Sequence, residues 1–481
     1  MELQESNNLI FIQLDSNFCH SVFSVLIDVI SACLSPGGFY FGMSRKPKII
    51  VLDDDPTGSQ TVHSCLLLMR WDVNTLYLGL RDTAPIFFIL TNTRALPPEA
   101  ANSVTQEVCQ NLKLALETEE IDDFLVVSRS DSTLRGHYPI ETDVIAQELG
   151  NFDAHFLVPA FFEGGRITLD SIHYLIIDGI PTPVSETEFA KDSVFGYRYS
   201  YLPKYVEEKT NGWIPEKSVE RFLLADIRRG SQARLMKLTN NRCCVVDGET
   251  QKDLDMFAHD ILATVSQGKK FLFRSAASAL TALAALPPQK IAAEKMAGYV
   301  RKGGAGVIIV GSHVRKTTQQ LEKLLQSEGL CGIEVDVSKL LNGENAIKPL
   351  IELTLAMVYR AHAEGKTSVV YTSRRELTFT SVEVRLEFGS QVSNLIATIV
   401  RRLPHDIGFL ISKGGITSND ILSKGLDLTS AQLLGQILAG CSVVLTPDDH
   451  STFPNLPVVL FPGNVGSSDA LASVYQQLSK H

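Results

Sequence analysis

Three consecutive aspartates, Asp53, Asp54 and Asp55, end the apolar run KIIVL and are followed at once by Pro56-Thr57-Gly58. Adjacent carboxylates repel one another, so a purely structural use for all three is disfavoured, although Asp-Pro-Thr-Gly is also good turn and helix-capping chemistry. A carboxylate at such a position can act as a covalent nucleophile, take a proton from a hydroxyl, or hold a cation. A second concentration, SRSDSTLRGH at 128–137, packs Arg129, Asp131, Ser132, Thr133, Arg135 and Gly136 together. Guanidinium forks grip carboxylates and phosphates, and hydroxyls orient polyols. Alone, that stretch could equally be a salt-bridged turn. Arg94 in TNTR and Arg166 in PAFFEGGRIT add two more cations of the same kind.

The elements that must position these residues are short apolar runs: KIIVLD at 48–53, PIFFILTNT at 85–93, FLVVSRSD at 124–131 and AHFLVPAF at 154–161. Stretches with helical apolar spacing separate them, which reads as a parallel sheet with helices on its faces. Ligands of such sheets gather at the C-terminal strand ends, where every motif above falls. The chain turns polar and aromatic at 186–250, and FGYRYSY there reads as a surface hairpin or a packing element. Pro287-Pro288 suggests a hinge. A second series follows: AGVIIVGSH, TSVVYTS, IGFLISKGGIT, SVVLTP and PVVLFPGNVG. The expected architecture is α/β, two domains with mainly parallel sheets and an active-site cleft between them. The expected boundaries are an N-terminal extension at 1–44, a first domain at 45–285 and a second at 300–481.

A formal charge of −10 gives no electrostatic support for wholesale binding to nucleic acid or an anionic membrane. Any phosphate must be met by a local cluster of donors. The eight cysteines show no C-x-x-C spacing, which fits a reducing cytoplasm and small buried apolar roles. The first 44 residues carry no Lys or Arg, and Met43 directly precedes SRKPKIIVLDDD. The natural start is expected at Met43, the residues before it being a start-site artefact or a weakly ordered extension.

Two resemblances compete for the opening stretch. Asp53-x-Asp55-x-Thr57 resembles the D-x-D-x-T signature of haloacid-dehalogenase-type phosphatases, whose first Asp is the nucleophile, and Thr91-Asn92 resembles their second motif. Pro56 stands where Gly is usual there, and no convincing lysine and acidic-pair motifs follow. Taken together, DDDPTGSQT, RSDSTLRGH and PAFFEGGRIT resemble the four-carbon acid sugar kinase family, and VGSHVRKTTQQLEKL, ISKGGITSNDIL and FPGNVGSSDAL resemble its later elements in order. There are departures: Arg274 and Ala277 in RSAASA stand where glycines are usual, Ser59 replaces a frequent Ala, and TNTR replaces an Asp-Ser-Arg version.

The kinase resemblance implies a first domain that binds the acid sugar and a second that binds ATP with Mg²⁺. It aligns Asp54 and Asp55 with the family's acidic pair, with Asp131 as a third catalytic candidate and Asp53 as a structural strand-end residue. Thr57, Gly58, Arg94, Arg129, Ser132, Arg135 and Arg166 are the candidates for the sugar, one or two arginines clamping its carboxylate. Ser312, Gly414, Gly415, Thr417, Gly463 and Asn464 are the candidates for the nucleotide. No G-x-x-x-x-G-K-[ST] loop is present, so three Gly-containing turns would supply backbone N–H groups to the phosphates, although such turns are common for packing reasons too. No metal-ligand set is legible. His137 and His313 read as ordinary hydrogen-bonded loop histidines. The expected partners are a small acid sugar and ATP, with no nucleic acid and no membrane, and a homodimer is left open. The expected reaction is phosphorylation of the terminal hydroxyl of a 3-oxo-tetronate, erythronate or threonate. The alternatives are the Asp53 phosphatase and a catalytically silent metabolite-binding regulator.

Overall fold

The computed structural model describes residues 46–301, 304–374, 377–379 and 381–479. The expectations about 1–44 and the Met43 start lie outside them. The first half contributes β1 Lys48–Asp53, β2 Cys65–Leu68, β3 Ile86–Leu90, β4 Phe124–Arg129 and β5 Ala154–Val158. A small antiparallel sheet follows, β6 Arg166–Leu169, β7 Ile172–Ile177 and β8 Ile180–Pro183, then β9 Glu220–Phe222, β10 Arg242–Val246 and β11 Phe271–Ser275. The second half adds β12 Val307–Val310, β13 Leu330–Val335, β14 Thr367–Thr372, β15 Leu410–Lys413, β16 Ser430–Leu438, β17 Cys441–Leu445 and β18 Pro457–Phe461.

All six residues of β1 are buried, as expected of a continuous apolar run lying between two parallel neighbours with both faces covered. The covering helices carry the matching period. Helix Pro98–Thr118 starts on a proline and buries Ala101, Thr105, Val108, Cys109, Leu112 and Leu116 along one stripe.

The two parallel series are parts of one sheet, ordered β13-β14-β12-β15-β18-β17-β16-β2-β3-β1-β4-β11-β5-β10-β9. The seam is the antiparallel pair of β2 and β16, running from Cys65 opposite Leu433 to Leu68 opposite Ser430. Three antiparallel pairings, β18 with β17, β17 with β16 and β16 with β2, reverse the strand direction between the halves. In a flat sheet the two sets of C-terminal strand ends would therefore face opposite edges. A twist of roughly 20–25° per strand accumulates to about 120–150° over the steps from β15 to β1 and turns those ends back towards each other.

The proline hinge is tied down at several points. The Pro287 carbonyl lies 2.9 Å from His63 Nε2, the Gln289 amide reaches the Gln436 carbonyl at 3.0 Å, and Met296 is fully buried. Among the described residues, Cys65, Cys109, Cys243, Cys244 and Cys441 are free and buried, and no helix is long and apolar enough to cross a membrane.

Candidate active site

In-register pairing of β1 with β3 and β4 sets Asp53 beside Leu90 and Arg129 at the strand ends. Asp53 is fully buried, with Oδ1 3.3 Å from Arg129 Nη1 and Oδ2 without a hydrogen-bond partner. A Cβ at Gly58 would overlap both carboxylate oxygens, so the Asp55–Gly58 turn folds directly over them. Burial pushes the Asp53 carboxyl up to about 7; Arg129 offsets this in part, and Asp54 and Asp55 add to it. A covalent nucleophile must be ionised and reachable. Asp53 is sealed beneath the turn, which favours the structural expectation for it and removes the geometric basis of the phosphatase reading.

The raised value has a signed consequence. The folded state holds a proton that the unfolded chain releases above 3.8, so this contribution is fully present below that pH and is lost as pH rises through about 7. Asp53→Asn is expected to flatten the decline in melting temperature across that window. Parallel declines in both proteins would contradict the assignment.

Asp54 is also buried, but fully engaged. Arg94 grips it with two bonds, one of them Nε to Oδ2 at 3.0 Å, and the Ser130 hydroxyl donates to Oδ2 at 3.1 Å. Behind Ser130 stands Arg274, which donates to Ser130 Oγ at 2.6 Å, to Ser128 Oγ at 2.7 Å and to Glu141 Oε2 at 2.5 Å. Thr93 donates to the other Glu141 oxygen at 2.5 Å. The guanidinium that departs from the family pattern is thus a buried brace beneath Asp54.

Asp55 is the outermost of the three, its side chain 19% exposed against 1% for Asp54 and 0% for Asp53. Oδ1 accepts from Thr57 N at 2.8 Å and Thr57 Oγ1 at 2.5 Å, closing an Asx turn, and Oδ2 lies 3.4 Å from Arg94 Nη1. Burial opposes its charge, but Arg94, Arg129 and the Thr57 bonds outweigh it and hold the carboxyl below its ordinary value. Asp55 is therefore kept ionised, with Oδ2 turned towards Gly415.

Asp131 closes a short loop by accepting from Thr133 Oγ1 and from Arg135 Nε at 2.8 Å. Burial resists its ionisation, and Arg135, Arg94 and Thr133 override that and lower its carboxyl strongly. Arg135 also lies 4.9 Å over the Phe189 ring. The Ser132 side chain is buried, and its carbonyl lies 2.7 Å from His173 Nε2. The aromatic segment supports this loop from behind: Tyr197 Oη donates to the Thr133 carbonyl at 2.7 Å and Tyr205 Oη to the Leu134 carbonyl at 2.9 Å. That is the packing role rather than the surface hairpin. His137 Nε2 lies 3.1 Å from the Thr93 carbonyl and 3.0 Å from that of Leu96, a satisfied loop histidine as expected.

The arginines divide on their partners. Arg94 is ion-paired to Asp54 and Asp55, Arg129 to Asp53 and Asp54, and Arg135 to Asp131. Arg166, at the start of β6, bonds the Gly164 carbonyl, stacks 5.9 Å over Phe161 and leaves its buried Nε unpaired. Burial lowers its pKa, Arg135 adds to the loss, and Asp131 and Glu188 offset only part of it. Among the described residues it has no carboxylate of its own.

In the second half, the turns after β12, β15 and β18 meet. Cβ atoms would stand 3.0 Å from Ser312 Cβ at Gly414 and 2.9 Å from Ser312 Oγ at Gly463. Thr417, on the helix Gly415–Asp420, packs its hydroxyl against Gly311, and the Gly414 φ of 123° is one that only glycine adopts readily. Thr317 Oγ1 ties Ser312 Oγ at 3.2 Å to the Gly463 carbonyl at 2.9 Å. Asn464 follows on the same turn and is exposed. His313 Nε2 lies 3.3 Å from Thr372 Oγ1.

The first half's aspartates come closest to the second half's turns at Gly415, where a Cβ would lie 2.6 Å from Asp55 Oδ2. The most exposed of the three aspartates faces the opening of the Gly-Gly turn.

Sequence reading missed three residues: Lys413, Arg374 and Glu141. Lys413 is fully buried beneath the turns, donating to the Pro462 carbonyl at 2.5 Å and sitting 4.1 Å over the Phe461 ring. Burial pushes its amine down to about 7. Its place directly before Gly414-Gly415 at a strand end was the available signal. Among the described residues, no three His, Cys, Asp or Glu side chains are arranged to hold a metal ion. A magnesium ion needs only one or two carboxylates beside phosphate oxygens and water, and Asp55 would be the acid to offer one.

Comparison with known proteins agrees with this division. Residues 49–283 match the family model described as a sugar-binding N-terminal domain, and residues 307–471 match a nucleotide-binding C-terminal domain. The chain is 25% identical over 463 residues to a D-erythronate kinase of Heliobacterium modesticaldum, covering 89% of this chain and 97% of that protein. It shares its fold with a solved Salmonella typhimurium LT2 protein (TM-score 0.64, 17% identity, 90% and 99% of the two chains). The Haemophilus influenzae protein HI1011 is a second such structure (TM-score 0.57, 18% identity, 89% and 99%). With a sugar-binding half and a nucleotide-binding half in that order, the chain belongs to the four-carbon acid sugar kinase family.

Proposed function

We propose that the protein is an ATP-dependent kinase acting on the terminal hydroxyl of a four-carbon sugar acid of the 3-oxo-tetronate, erythronate or threonate type. Residues 45–285 would hold the acid and residues 300–481 the nucleotide. The observation that carries this reading is the approach of the Asp55 carboxylate to Gly415, which sets an ionised acid against a phosphate-type turn.

Phosphoryl transfer asks for an in-line hydroxyl, neutralised phosphate charge and a proton acceptor. Asp55 takes the hydroxyl proton as the oxygen bonds to the γ-phosphorus, and the β–γ bridging oxygen leaves with ADP. Magnesium, when bound, neutralises phosphate charge beside Asp55. Arg166 takes the substrate carboxylate, since it is the candidate arginine without a carboxylate partner among the described residues. Asp54 with Arg94, and Asp131 with Arg135, hold the loops rather than react. The Gly415 and Gly463 amides and the Ser312 hydroxyl meet the phosphates, the Gly414 amide being spent on the Phe461 carbonyl at 2.9 Å. The free, buried cysteines fit work in the cytoplasm.

Purified protein with Mg-ATP is expected to release ADP on at least one member of a panel of tetronates, erythronates, threonates and their 3-oxo forms. The phosphate should appear on the terminal hydroxyl by ³¹P NMR. ATP binding without turnover on any of them would leave the regulator reading in its place, and no ATP binding would reject both. Arg166→Ala is expected to raise KM for the acid about 10- to 100-fold, as loss of a charged hydrogen-bond pair does, with KM for ATP unchanged. An unchanged acid KM would move the clamp to another arginine.

A further inference from the structure

We propose that Arg374, on the loop after β14, is a phosphate-binding residue of the nucleotide site, a fourth contributor beside the three glycine turns. β14 pairs directly with β12, so its C-terminal end lies next to the Ser312 turn. The guanidinium reaches across that gap: Nη2 donates to the Ser312 carbonyl at 2.7 Å and to Thr318 Oγ1 at 2.8 Å, and Nε lies 3.3 Å from the same hydroxyl. One edge of the fork is thereby fixed. The other, Nη1, is buried with no hydrogen-bond partner.

A buried donor left unpaired is costly, and it is rare unless something absent from the protein itself completes it. The electrostatics point the same way. Arg374 forms no ion pair with a described carboxylate, and its pKa is lowered by burial alone. Arg94 and Arg274 are paired, with Asp54 and Glu141, whereas Arg374 resembles Arg166 in having no ion pair among the described residues. The surroundings add positive charge: the helix Arg315–Leu324 has no acid in its first turn and begins with Arg315 and Lys316, the end where the helix dipole disfavours cations. In a chain of net charge −10, cations gathered without partners beside three glycine turns fit a polyphosphate, whose oxygens accept two parallel guanidinium bonds.

This assignment rests on nucleotide binding by residues 307–471 and is independent of which acid the first half takes. The test is calorimetric titration of the full-length protein and its Arg374→Ala and Arg374→Lys variants with Mg-ATP, ADP and adenosine, alongside melting temperatures. ATP affinity is expected to fall about 10- to 100-fold in Arg374→Ala, the loss typical of a charged hydrogen bond. It should fall less in Arg374→Lys, with adenosine affinity unchanged in both. Equal weakening of ATP and adenosine would assign Arg374 to shaping the Ser312 turn and overturn the proposal, as would an ATP affinity within twofold of the original. If the Ala variant does not fold, the Lys variant decides by the same ratio of ATP to adenosine. Failure of the unmutated protein to bind ATP would overturn the nucleotide reading itself, an outcome separate from a variant-only result.

Discussion

Asp55→Asn is expected to lower kcat by about 10²- to 10⁴-fold, the range associated with removing a positioned proton acceptor, with KM for both substrates moving by little. The side chain keeps its shape, and Asn still accepts from Thr57 N and Oγ1, so the turn should persist. What disappears is the negative charge that Arg94 and Arg129 keep in place. Far-ultraviolet circular dichroism and melting temperature should match the parent. A variant that retains more than a tenth of the parent kcat would transfer the proton-accepting role to another group. Asp131, ionised and already bonded to Arg135 and Thr133, would then be next in line.

Asp54→Ala should act through the fold instead. Arg94 would lose both bonds to Asp54 and keep only its 3.4 Å contact with Asp55, and Ser130 would lose an acceptor. Breaking a buried pair by deleting one partner costs about 3–5 kcal/mol because the other charge is left uncompensated. The released Arg94 is expected to draw Asp55 off its turn, so activity falls together with stability. Chemical denaturation measures the first and turnover the second. The isosteric Asp54→Asn should recover part of the stability. A variant as stable as the parent would show that solvent reaches Arg94 freely.

Much of this was legible because local rules govern it. Apolar runs of four to six residues placed β1, β3, β4, β12, β14 and β15. The ordering of motifs at strand ends placed Asp54, Asp55, Arg94, Arg129 and Ser312 around two centres. The structural expectation for Asp53 came from the family alignment of Asp54 and Asp55, and its complete burial at the end of β1 fits it. Pairings across long sequence separations were not legible. Nothing near residue 55 announces Gly415, because their meeting depends on the β2–β16 seam and on twist accumulated over several strands. Arg274 stood out as a departure, yet its purpose needed Glu141, which lies 133 residues away in sequence. Pro-Pro signalled a hinge, because a local rule has no knowledge of Gln436 waiting to bond Gln289.

The β2–β16 seam also bears on how the protein can come apart. Two units with separate cores could be expressed, shuffled or melted one at a time. Here each half ends in a strand whose hydrogen-bonding groups are satisfied by the other, so cutting the chain near residue 290 would strip a nine-residue strand, β16, of its neighbour. An orphaned edge of that kind invites self-association. The sugar-binding and nucleotide-binding modules are therefore expected to be separable as sequences but not as folded objects. Heating should give one cooperative transition, and exchange of a half between relatives should succeed only where the seam residues are carried along.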